Sequence, residues 1–300
     1  MKLIQALVFT ALLPAAAHAV IVYGPQTRNT TVPTGSFPNS GWQYEGNWGS
    51  FLGTPIAPHA FITAKHVEGS VGNTFSYLST NYTTTSFSDN PGTDLRVWQV
   101  SGTFPSYAPL YTASNETNKE LVVFGRGTQR GTVFNVGGQA QGWLWGPIDG
   151  VQSWGTNTVD GIATDPSLGQ FLQYDFAANP GVAGVNEGIL SDHDSGGGVF
   201  INDAGTWKLA GINYGTDGPY KFDPNATTSF HASLYDQSGL YVENASHQWV
   251  AAPNSPGASY SSRISSNATW ISTAVPEPAS MMFVGAAGFM LGRRRQSRAQ

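Results

Sequence analysis

The middle of the chain alternates short apolar runs with polar, turn-forming segments. The runs are rich in Val, Ile, Leu, Phe and Thr and include residues 60–63, 95–100, 121–124 and 198–201. Clusters of Gly, Pro, Asn and Ser separate them, which is the pattern of a β-sandwich or of β-barrels. The pattern therefore predicts an all-β fold. Helical periodicity is confined to residues 246–250, which predict a short helix near the C-terminus.

Residues 1–19 have the features of a secretory signal peptide. Lys2 supplies a positive charge, residues 3–17 form an apolar run, and an Ala-His-Ala triplet ends at Ala19. Small residues in this spacing mark a signal peptidase cleavage site. We expect cleavage after Ala19 and export of the protein. A buried N-terminal helix is the alternative.

The C-terminal residues 275–300 combine three features in a fixed order. A Pro-Glu-Pro triplet at 276–278 is followed by an uncharged stretch over 279–292 and then by three arginines at 293–295. The uncharged stretch is shorter than the roughly 20 residues of a comfortable membrane span, yet it has the positive flank that stays on the cytoplasmic side. We expect transient insertion of this segment into the inner membrane.

This arrangement resembles the PEP-CTERM sorting signal of Gram-negative bacteria. The resemblance implies that an exosortase removes the tail near residues 276–278 and releases the protein to the cell surface or the extracellular space. An ordinary tail anchor is the alternative. Both terminal signals are left out of the prediction of the fold.

The segment before this tail has the composition of a linker. Residues 251–274 contain mainly Pro, Asn, Ser, Gly and Ala and few large apolar side chains. Such a composition is typical of flexible linkers. The sequence therefore predicts a folded body over residues 20–250 that is joined to the tail by a flexible segment.

Composition narrows the possible functions. The 14 Lys and Arg residues against 19 Asp and Glu give a formal net charge of −5, which argues against a nucleic-acid partner. The chain has no Cys, so it forms no disulfides, holds no metal through thiolates and has no cysteine nucleophile. Covalent catalysis would therefore use an oxygen or an amine.

Three segments carry candidate catalytic side chains. Ser195 lies between Asp194 and three successive glycines, a context that favours a tight turn with an exposed hydroxyl and converging backbone N–H groups. His66 follows one apolar strand, and Asp94 opens another. A serine hydroxyl becomes a good nucleophile when a histidine takes its proton, and a carboxylate stabilises the imidazolium that forms.

These segments resemble the trypsin-like serine proteases, which have the chymotrypsin fold. Residues 63–67 (Thr-Ala-Lys-His-Val) are similar to the family's Thr-Ala-Ala-His segment, and residues 194–197 (Asp-Ser-Gly-Gly) to its Gly-Asp-Ser-Gly-Gly-Pro segment. Residues 121–127 are similar to the strand that opens the family's second barrel, and residues 207–215 to the strand that lines its primary pocket. The four segments span most of the predicted body.

The resemblance implies a role for each candidate side chain. Ser195 is the implied nucleophile, His66 the general base and then acid, and Asp94 the carboxylate that orients the imidazole. Asp89 is the alternative acid, because the interval between His66 and Asp94 is shorter than is usual for the family. An ordinary turn serine, strand-end histidine and turn-capping aspartate are the non-catalytic interpretations of the three.

The fold implied by the resemblance is two six-stranded antiparallel β-barrels, over about 20–120 and 121–250. The implied activity is that of a secreted or surface-sorted serine endopeptidase that acts on a protein or peptide substrate and uses neither cofactor nor metal. A catalytically silent member of the fold, serving as a binding or matrix module, is one alternative. A structural surface protein with an accidental match is the other.

His193 is the most consequential departure from the family's pattern. The family has a glycine there, whose N–H forms the oxyanion hole together with the N–H of Ser195. A side chain at this position constrains the backbone that aims the N–H group. A metal site of His193 with Asp192 and Asp194 is the alternative, and it is disfavoured because three neighbours on one tight turn do not easily converge on one ion.

Two other departures remove no catalytic atom. Gly198 replaces the usual proline, and Asn213 replaces a serine that contacts the catalytic aspartate. In the family's pocket, Ile189 would form the base, and Tyr214 and Gly215 a wall and an open floor. Because no carboxylate stands at the base, the expected substrate side chain is apolar or small.

Cleavage after Ala19 would create a new N-terminus with a possible role in the site. The exposed sequence, residues 20–24 (Val-Ile-Val-Tyr-Gly), resembles the Ile-Val-Gly-Gly start of activated family members. In the family this α-amino group pairs with the aspartate before the nucleophile, which here is Asp194. An ordinary first β-strand is the alternative interpretation.

Overall fold

The computed structural model describes residues 19–24, 28–177, 184–244 and 246–275. These residues form an all-β fold with one short α-helix, as the sequence pattern predicts. The predicted signal peptide, up to residue 18, and the predicted sorting signal from residue 276 onward lie outside the described residues. No helix in the described ranges is long and apolar enough to cross a membrane.

In chain order the elements are β1 (Ile21–Val22), β2 (Gly46–Trp48), β3 (Phe51–Ala57), β4 (Ala60–Ala64), β5 (Thr74–Tyr77), β6 (Thr80–Asp89), β7 (Leu95–Val100), β8 (Glu120–Gly125), β9 (Thr128–Val136), β10 (Gln139–Ile148), β11 (Ser153–Thr158), β12 (Gly161–Asp165), β13 (Gly169–Asp175), β14 (Gly188–Ile189), β15 (Gly198–Asp203), β16 (Thr206–Thr216), β17 (Tyr220–Lys221), β18 (Ala232–Leu234), β19 (Tyr241–Glu243), β20 (Trp249–Ala251), β21 (Ala258–Arg263) and α1 (Ala268–Ala274).

The first half of the chain is a closed six-stranded antiparallel barrel with the strand order β2-β3-β4-β7-β6-β5. Aromatic side chains fill it, among them Trp48, Phe61, Phe75 and Trp98, all of which are buried. Strand β4 is buried along its whole length, which explains its unbroken run of apolar and small residues. The barrel predicted for the first half is therefore present.

The second half differs in detail from the predicted second barrel. Its centre is a seven-stranded sheet of order β11-β8-β15-β16-β21-β13-β12, and strands β18-β10-β9 form a separate three-stranded sheet. Strands β17, β19 and β20 form another, and β1 pairs with β14. Residues 246–250, predicted to be helical, instead lead into strand β20, because that segment pairs with β19. The helix lies further on, at Ala268–Ala274.

The prediction of a flexible linker over residues 251–274 is wrong, because this segment contains a strand of the large sheet and the α-helix. Strand β21 lies between β16 and β13 in the middle of the large sheet, and Ser259 and Ser261 are fully buried there. Their hydroxyls are satisfied, because Ser259 Oγ accepts from the backbone N–H of Leu190 at 3.0 Å and Ser261 Oγ donates to Asn213 Oδ1 at 3.1 Å. Paired hydroxyls make small polar residues acceptable in a buried strand, although their composition is that of a linker.

The chain returns to the first half after β21, so the folded body extends to residue 275 rather than ending at 250. Asn90 Nδ2 donates to Asn267 Oδ1 at 2.9 Å, and Gln99 Nε2 donates to the carbonyl oxygen of Ala274 at 3.0 Å. Ile271 of α1 belongs to the apolar core that the two halves share. The C-terminal segment therefore ties the halves together.

A buried ion pair fixes the end of β21. Arg263 Nη2 lies 2.6 Å from Glu116 Oε2, and its Nε lies 2.9 Å from Oε1, so the guanidinium binds the carboxylate through two parallel bonds. Ser265 Oγ donates to the same carboxylate at 2.5 Å. Losing one partner of such a pair leaves an unpaired buried charge.

Glu45 is a buried carboxyl group at the junction of the two halves. Its Oε1 accepts from Thr54 Oγ1 and from the backbone N–H of Gly198, each at 3.2 Å, while Oε2 has no partner among the described residues. Burial raises the pKa of Glu45 to about 8. The contact also accounts for the glycine at 198, because a proline has no N–H to donate and a Cβ there would lie 2.6 Å from Glu45 Oε1.

A chain that ends at residue 250 is expected not to fold, whereas a chain that ends at 275 is expected to fold. The shorter chain loses β21 and leaves Glu116 buried without Arg263. Breaking a buried pair costs about 3–5 kcal/mol, which is a large part of the total stability of about 5–15 kcal/mol of a typical domain. Urea denaturation followed by tryptophan fluorescence tests this. A cooperative transition in the 20–250 chain would contradict it.

Glu45→Gln is expected to flatten the pH dependence of stability. The ordinary pKa of the group is 4.5 and its folded value is about 8, so between these values the folded state holds a proton that the unfolded state releases. The free energy of unfolding then falls as pH rises from about 5 to 8, and glutamine has no such proton. Urea midpoints of both proteins at several pH values measure this, with exposed Glu68→Gln as control. Parallel curves for Glu45→Gln and the wild type would refute it.

Candidate active site

Strand pairing in the barrel brings His66 to Asp94. Strands β4 and β7 are antiparallel, with Ala64 opposite Leu95, so the end of one strand lies beside the start of the other. His66 stands in a 3₁₀ turn, Lys65–Val67, directly after β4, and Asp94 directly precedes β7. Residues far apart in sequence thus meet because two strand ends coincide.

The three predicted catalytic side chains form one hydrogen-bonded chain. His66 Nδ1 lies 2.6 Å from Asp94 Oδ2, and His66 Nε2 lies 2.8 Å from Ser195 Oγ. Asp94 Oδ1 accepts from the backbone N–H of His66 at 3.0 Å, which fixes the carboxylate further. Asp94 is buried, whereas the His66 side chain is 40% exposed, so the imidazole faces solvent on the side of the serine.

Asp89, the alternative acid, is placed elsewhere. Its two carboxylate oxygens bind Arg96, at 2.6 Å to Nε and 2.9 Å to Nη2. The two residues are opposite each other on β6 and β7. Asp94 is therefore the carboxylate that contacts His66.

Ser195 follows a tight turn over residues 191–194. The backbone N–H of Asp194 donates to the carbonyl oxygen of Ser191 at 3.2 Å, and His193, the third residue of the turn, has φ of 69°. Positive φ at this position is the mark of a type II turn. Within the described part of the chain, the backbone N–H groups of His193 and Ser195 have no acceptor. They are free to bind an oxyanion.

Asp194 anchors this turn from below. The residue is fully buried, and its carboxylate accepts from the N–H of Gly127 at 2.7 Å, the N–H of Ser191 at 2.8 Å and the N–H of Val20 at 3.3 Å. Burial raises the pKa of Asp194 to about 6. Gly127 must be a glycine here, because a Cβ would lie 2.8 Å from Asp194 Cγ. The carboxylate holds the N-terminal strand, β8 and the turn together.

Asn213 braces the other side of the serine loop. Its Nδ2 donates to the carbonyl oxygens of Phe124 and Asp194, at 2.7 and 3.0 Å. Its backbone carbonyl accepts from the N–H of Gly196 at 3.0 Å. At this position, where the resembled family has a serine, the asparagine thus links β8, β16 and the loop.

A cleft of about 390 Å³ opens beside Ser195. It is lined by His66, Trp145, Ser191, Asp192, Ser195, Tyr214, Gly215, Thr216, Gly218 and His231. The expected wall residues Tyr214 and Gly215 are among them. The Tyr214 ring meets the His66 ring edge-on, with 5.7 Å between centroids, and burial raises the pKa of its hydroxyl.

Ile189, predicted as the base of the pocket, is not in the cleft. It is 2% exposed and pairs with Ile21, which joins β14 to β1. Because β14 pairs with β1, the apolar side chain of Ile189 packs in a buried cluster with Ile21 instead of lining the cleft. Trp145 packs on the same apolar cluster and stands in the cleft.

Sequence reasoning missed Trp145, Asp192 and His231 as cleft residues. The Trp145 and His231 rings are stacked, with 4.8 Å between centroids and 16° between planes, and Trp145 Nε1 donates to Ser233 Oγ at 3.1 Å. Burial lowers the pKa of His231, opposed by the charge of Asp192. No local signal marks Trp145 and His231, because the pairing of β10 with β18 sets their positions.

The metal interpretation of His193 has no geometric support. Asp194 points into the core, whereas the Asp192 side chain is 57% exposed. Among the described residues no group of three or more His, Asp or Glu side chains converges as metal ligands do.

Comparisons with known proteins return structural matches alone. No protein-family model matches the chain, and no curated protein matches its sequence. A mutant of human heparin binding protein (CAP37) aligns over 86% of this chain and 99% of its own, with 14% identity and a TM-score of 0.49. The passenger domain of plasmid encoded toxin, an autotransporter enterotoxin from enteroaggregative Escherichia coli, aligns over 70% of this chain with 16% identity and a TM-score of 0.42. The match spans 20% of that passenger domain.

Proposed function

We propose that the protein is a serine endopeptidase that hydrolyses peptide bonds through an acyl-enzyme on Ser195. The observation that carries the proposal is the unbroken chain from Asp94 to His66 at 2.6 Å and from His66 to Ser195 at 2.8 Å. This is the geometry of an activated serine nucleophile, with a base in hydrogen-bond reach and a carboxylate that orients the base.

Each group has a defined part in the reaction. His66 Nε2 takes the hydroxyl proton as Ser195 Oγ attacks the carbonyl carbon of the substrate, and Asp94 stabilises the imidazolium. The free N–H groups of His193 and Ser195 bind the oxyanion of the tetrahedral intermediate. His66 then gives its proton to the leaving amine as the peptide C–N bond breaks. In the second half of the reaction His66 takes a proton from a water molecule, whose oxygen bonds to the acyl carbon, and returns that proton to Ser195 Oγ as the acid product leaves.

The cleft favours uncharged side chains of the substrate. Tyr214, Trp145 and His231 supply aromatic surface, and Asp192 is its exposed carboxylate. Neither Lys nor Arg is among the lining residues. An acidic side chain would meet Asp192 with no compensating cation, and the substrate is therefore a protein or peptide with an apolar or small residue at the cleavage site.

Export and surface sorting are part of the same proposal. Signal peptidase removes residues 1–19, and an exosortase cleaves near 276–278 after transient insertion of the tail into the inner membrane. Support comes from the two terminal sequence signals.

The position of Val20 supports a link between export and activity. Its backbone nitrogen lies 3.3 Å from the buried Asp194 carboxylate. Cleavage after Ala19 would turn this amide into an α-ammonium group, which is mostly protonated at neutral pH. An ion pair between this ammonium group and the Asp194 carboxylate would then replace the hydrogen bond that the neutral Val20 amide donates.

A catalytically silent binding module is the second candidate, and one observation favours it. His193 has a side chain at a backbone position with positive φ, a conformation that such residues rarely adopt. If the turn relaxes in solution, the oxyanion donor is lost while the fold remains.

A serine-reactive fluorophosphonate is expected to add once to the wild type and not at all to Ser195→Ala. His66→Ala is expected to react at least 100-fold more slowly, because the hydroxyl loses its base. The number of adducts and the rate of labelling are measured by intact mass spectrometry over time. Ser101→Ala, which removes an exposed serine away from the cleft, is the matched control and is expected to react like the wild type. A folded wild type that takes no adduct would reject the peptidase and leave the binding module.

A chain that begins at Val20 is expected to be at least tenfold more active than one with two alanines ahead of Val20. The extension removes the buried ammonium partner of Asp194, and an unpaired buried charge is costly. Peptide hydrolysis by both chains, and by both in the Asp194→Asn background, measures the effect. Equal activity of the two chains would show that the N-terminus has no part in the site.

A further inference from the structure

The N–H group that His193 offers to an oxyanion depends on an unusual backbone conformation. Its φ is 69°, in the left-handed region that glycine adopts readily and that other residues occupy rarely. A glycine would need no help to reach this conformation. A histidine occupies it less readily than glycine does, so a contact that stabilises it increases its population.

Hydrogen bonding by the imidazole does not supply that contact. Among the described residues, the buried Nδ1 atom has no hydrogen-bond partner. Asp192 Oδ1 lies 3.1 Å away, at ion-pair distance but out of line for a hydrogen bond. Besides this contact, the ring is held by packing.

The packing partner is Phe51. The rings of Phe51 and His193 are stacked, with 5.0 Å between centroids and 7° between planes. Phe51 is the first residue of β3 in the barrel wall and pairs with Trp48. Its ring is thus carried by a rigid element of the first half, and it packs against a turn of the second half.

The strand end that carries Phe51 is itself held in place. Arg126 Nη1 donates to the carbonyl oxygen of Gly49 at 3.2 Å, and its Nε donates to that of Gly150 at 2.7 Å. The guanidinium therefore ties the β2–β3 turn to the second half. These bonds hold the strand end that carries Phe51 against the second half, to which the turn at 191–194 also belongs.

We propose that Phe51 is a positioning residue, which stacks on His193 and so keeps the His193 N–H aimed at the oxyanion. The proposal rests on the proposed serine endopeptidase activity. A glycine at 193 would adopt the positive φ without help, whereas at His193 the ring stack stabilises that conformation. Without the stack, the turn can rotate its 192–193 peptide and withdraw the donor from the cleft.

Phe51→Ala is expected to lower kcat about tenfold and to leave KM unchanged. An aromatic stack contributes a free energy that corresponds to a rate factor of about two to ten, and full loss of one oxyanion donor costs about 100-fold or more. The donor acts mainly on the transition state, so kcat changes rather than KM. Phe51→Leu, which keeps apolar volume without a ring face, is expected to behave like Phe51→Ala.

The decisive variant replaces the residue that is positioned. In a His193→Gly background, Phe51→Ala is expected to change kcat by less than twofold, because glycine reaches the positive φ unaided. A general loss of barrel stability would persist in that background. Phe222→Ala, which removes a stacked ring on Phe134 away from the cleft, is the matched control and is expected to leave kcat unchanged.

A second measurement does not depend on turnover. In Ser195→Ala, the backbone amide NMR signal of His193 is expected to be sharp, and in Ser195→Ala/Phe51→Ala to show exchange broadening and an altered three-bond HN–Hα coupling. An unchanged linewidth and an unchanged HN–Hα coupling of the His193 amide would overturn the positioning role. An equal loss of kcat from Phe51→Ala in the wild-type and His193→Gly backgrounds would also overturn it. Altered signals in a protein without any peptidase activity would reject the proposed function and keep the stack.

Discussion

The carboxylate of Asp194 is the group on which the rest of the site depends. It is buried, and it accepts hydrogen bonds from Val20, Gly127 and Ser191. An ionisable group in the core is costly unless its oxygens are satisfied, so these three segments must close around it together. Their closure sets the turn over 191–194, and that turn presents Ser195 and the two free N–H groups.

The hydrogen-bonded chain from Asp94 through His66 to Ser195 crosses the boundary between the two halves, so their relative position determines its geometry. His66 and Asp94 belong to the barrel, and Ser195 belongs to a loop of the large sheet. A shared apolar core, the Glu45 contact to Gly198 and the return of the chain from β21 to α1 fix this position. Sub-ångström placement of a base against a nucleophile requires such rigid support.

Three residues that differ from the pattern of the resembled family make contacts that support the serine loop and the turn before it. Gly198 offers an N–H to Glu45 where a proline could not, and Asn213 binds one carbonyl oxygen of β8, that of Phe124, and one of the serine loop, that of Asp194. His193 occupies a glycine conformation while its ring stacks on Phe51. Each of these residues makes a local contact that supports the serine loop or the turn before it.

The sequence by itself determined the all-β class, because apolar runs and turn residues are local features with local signals. The family resemblance implied the first barrel and named His66, Asp94 and Ser195 as candidates, with Asp89 left open as the acid. Tertiary structure alone decided the rest. Ile189 faces the core because β14 pairs with β1, and Trp145 and His231 reach the cleft because β10 pairs with β18. Strand β21 lies in the middle of the large sheet despite its serines, and Leu190, directly after β14, and Asn213 of β16 bind the hydroxyls of Ser259 and Ser261. Pairing between distant strands sets which face of a segment is buried, and no local pattern encodes that choice.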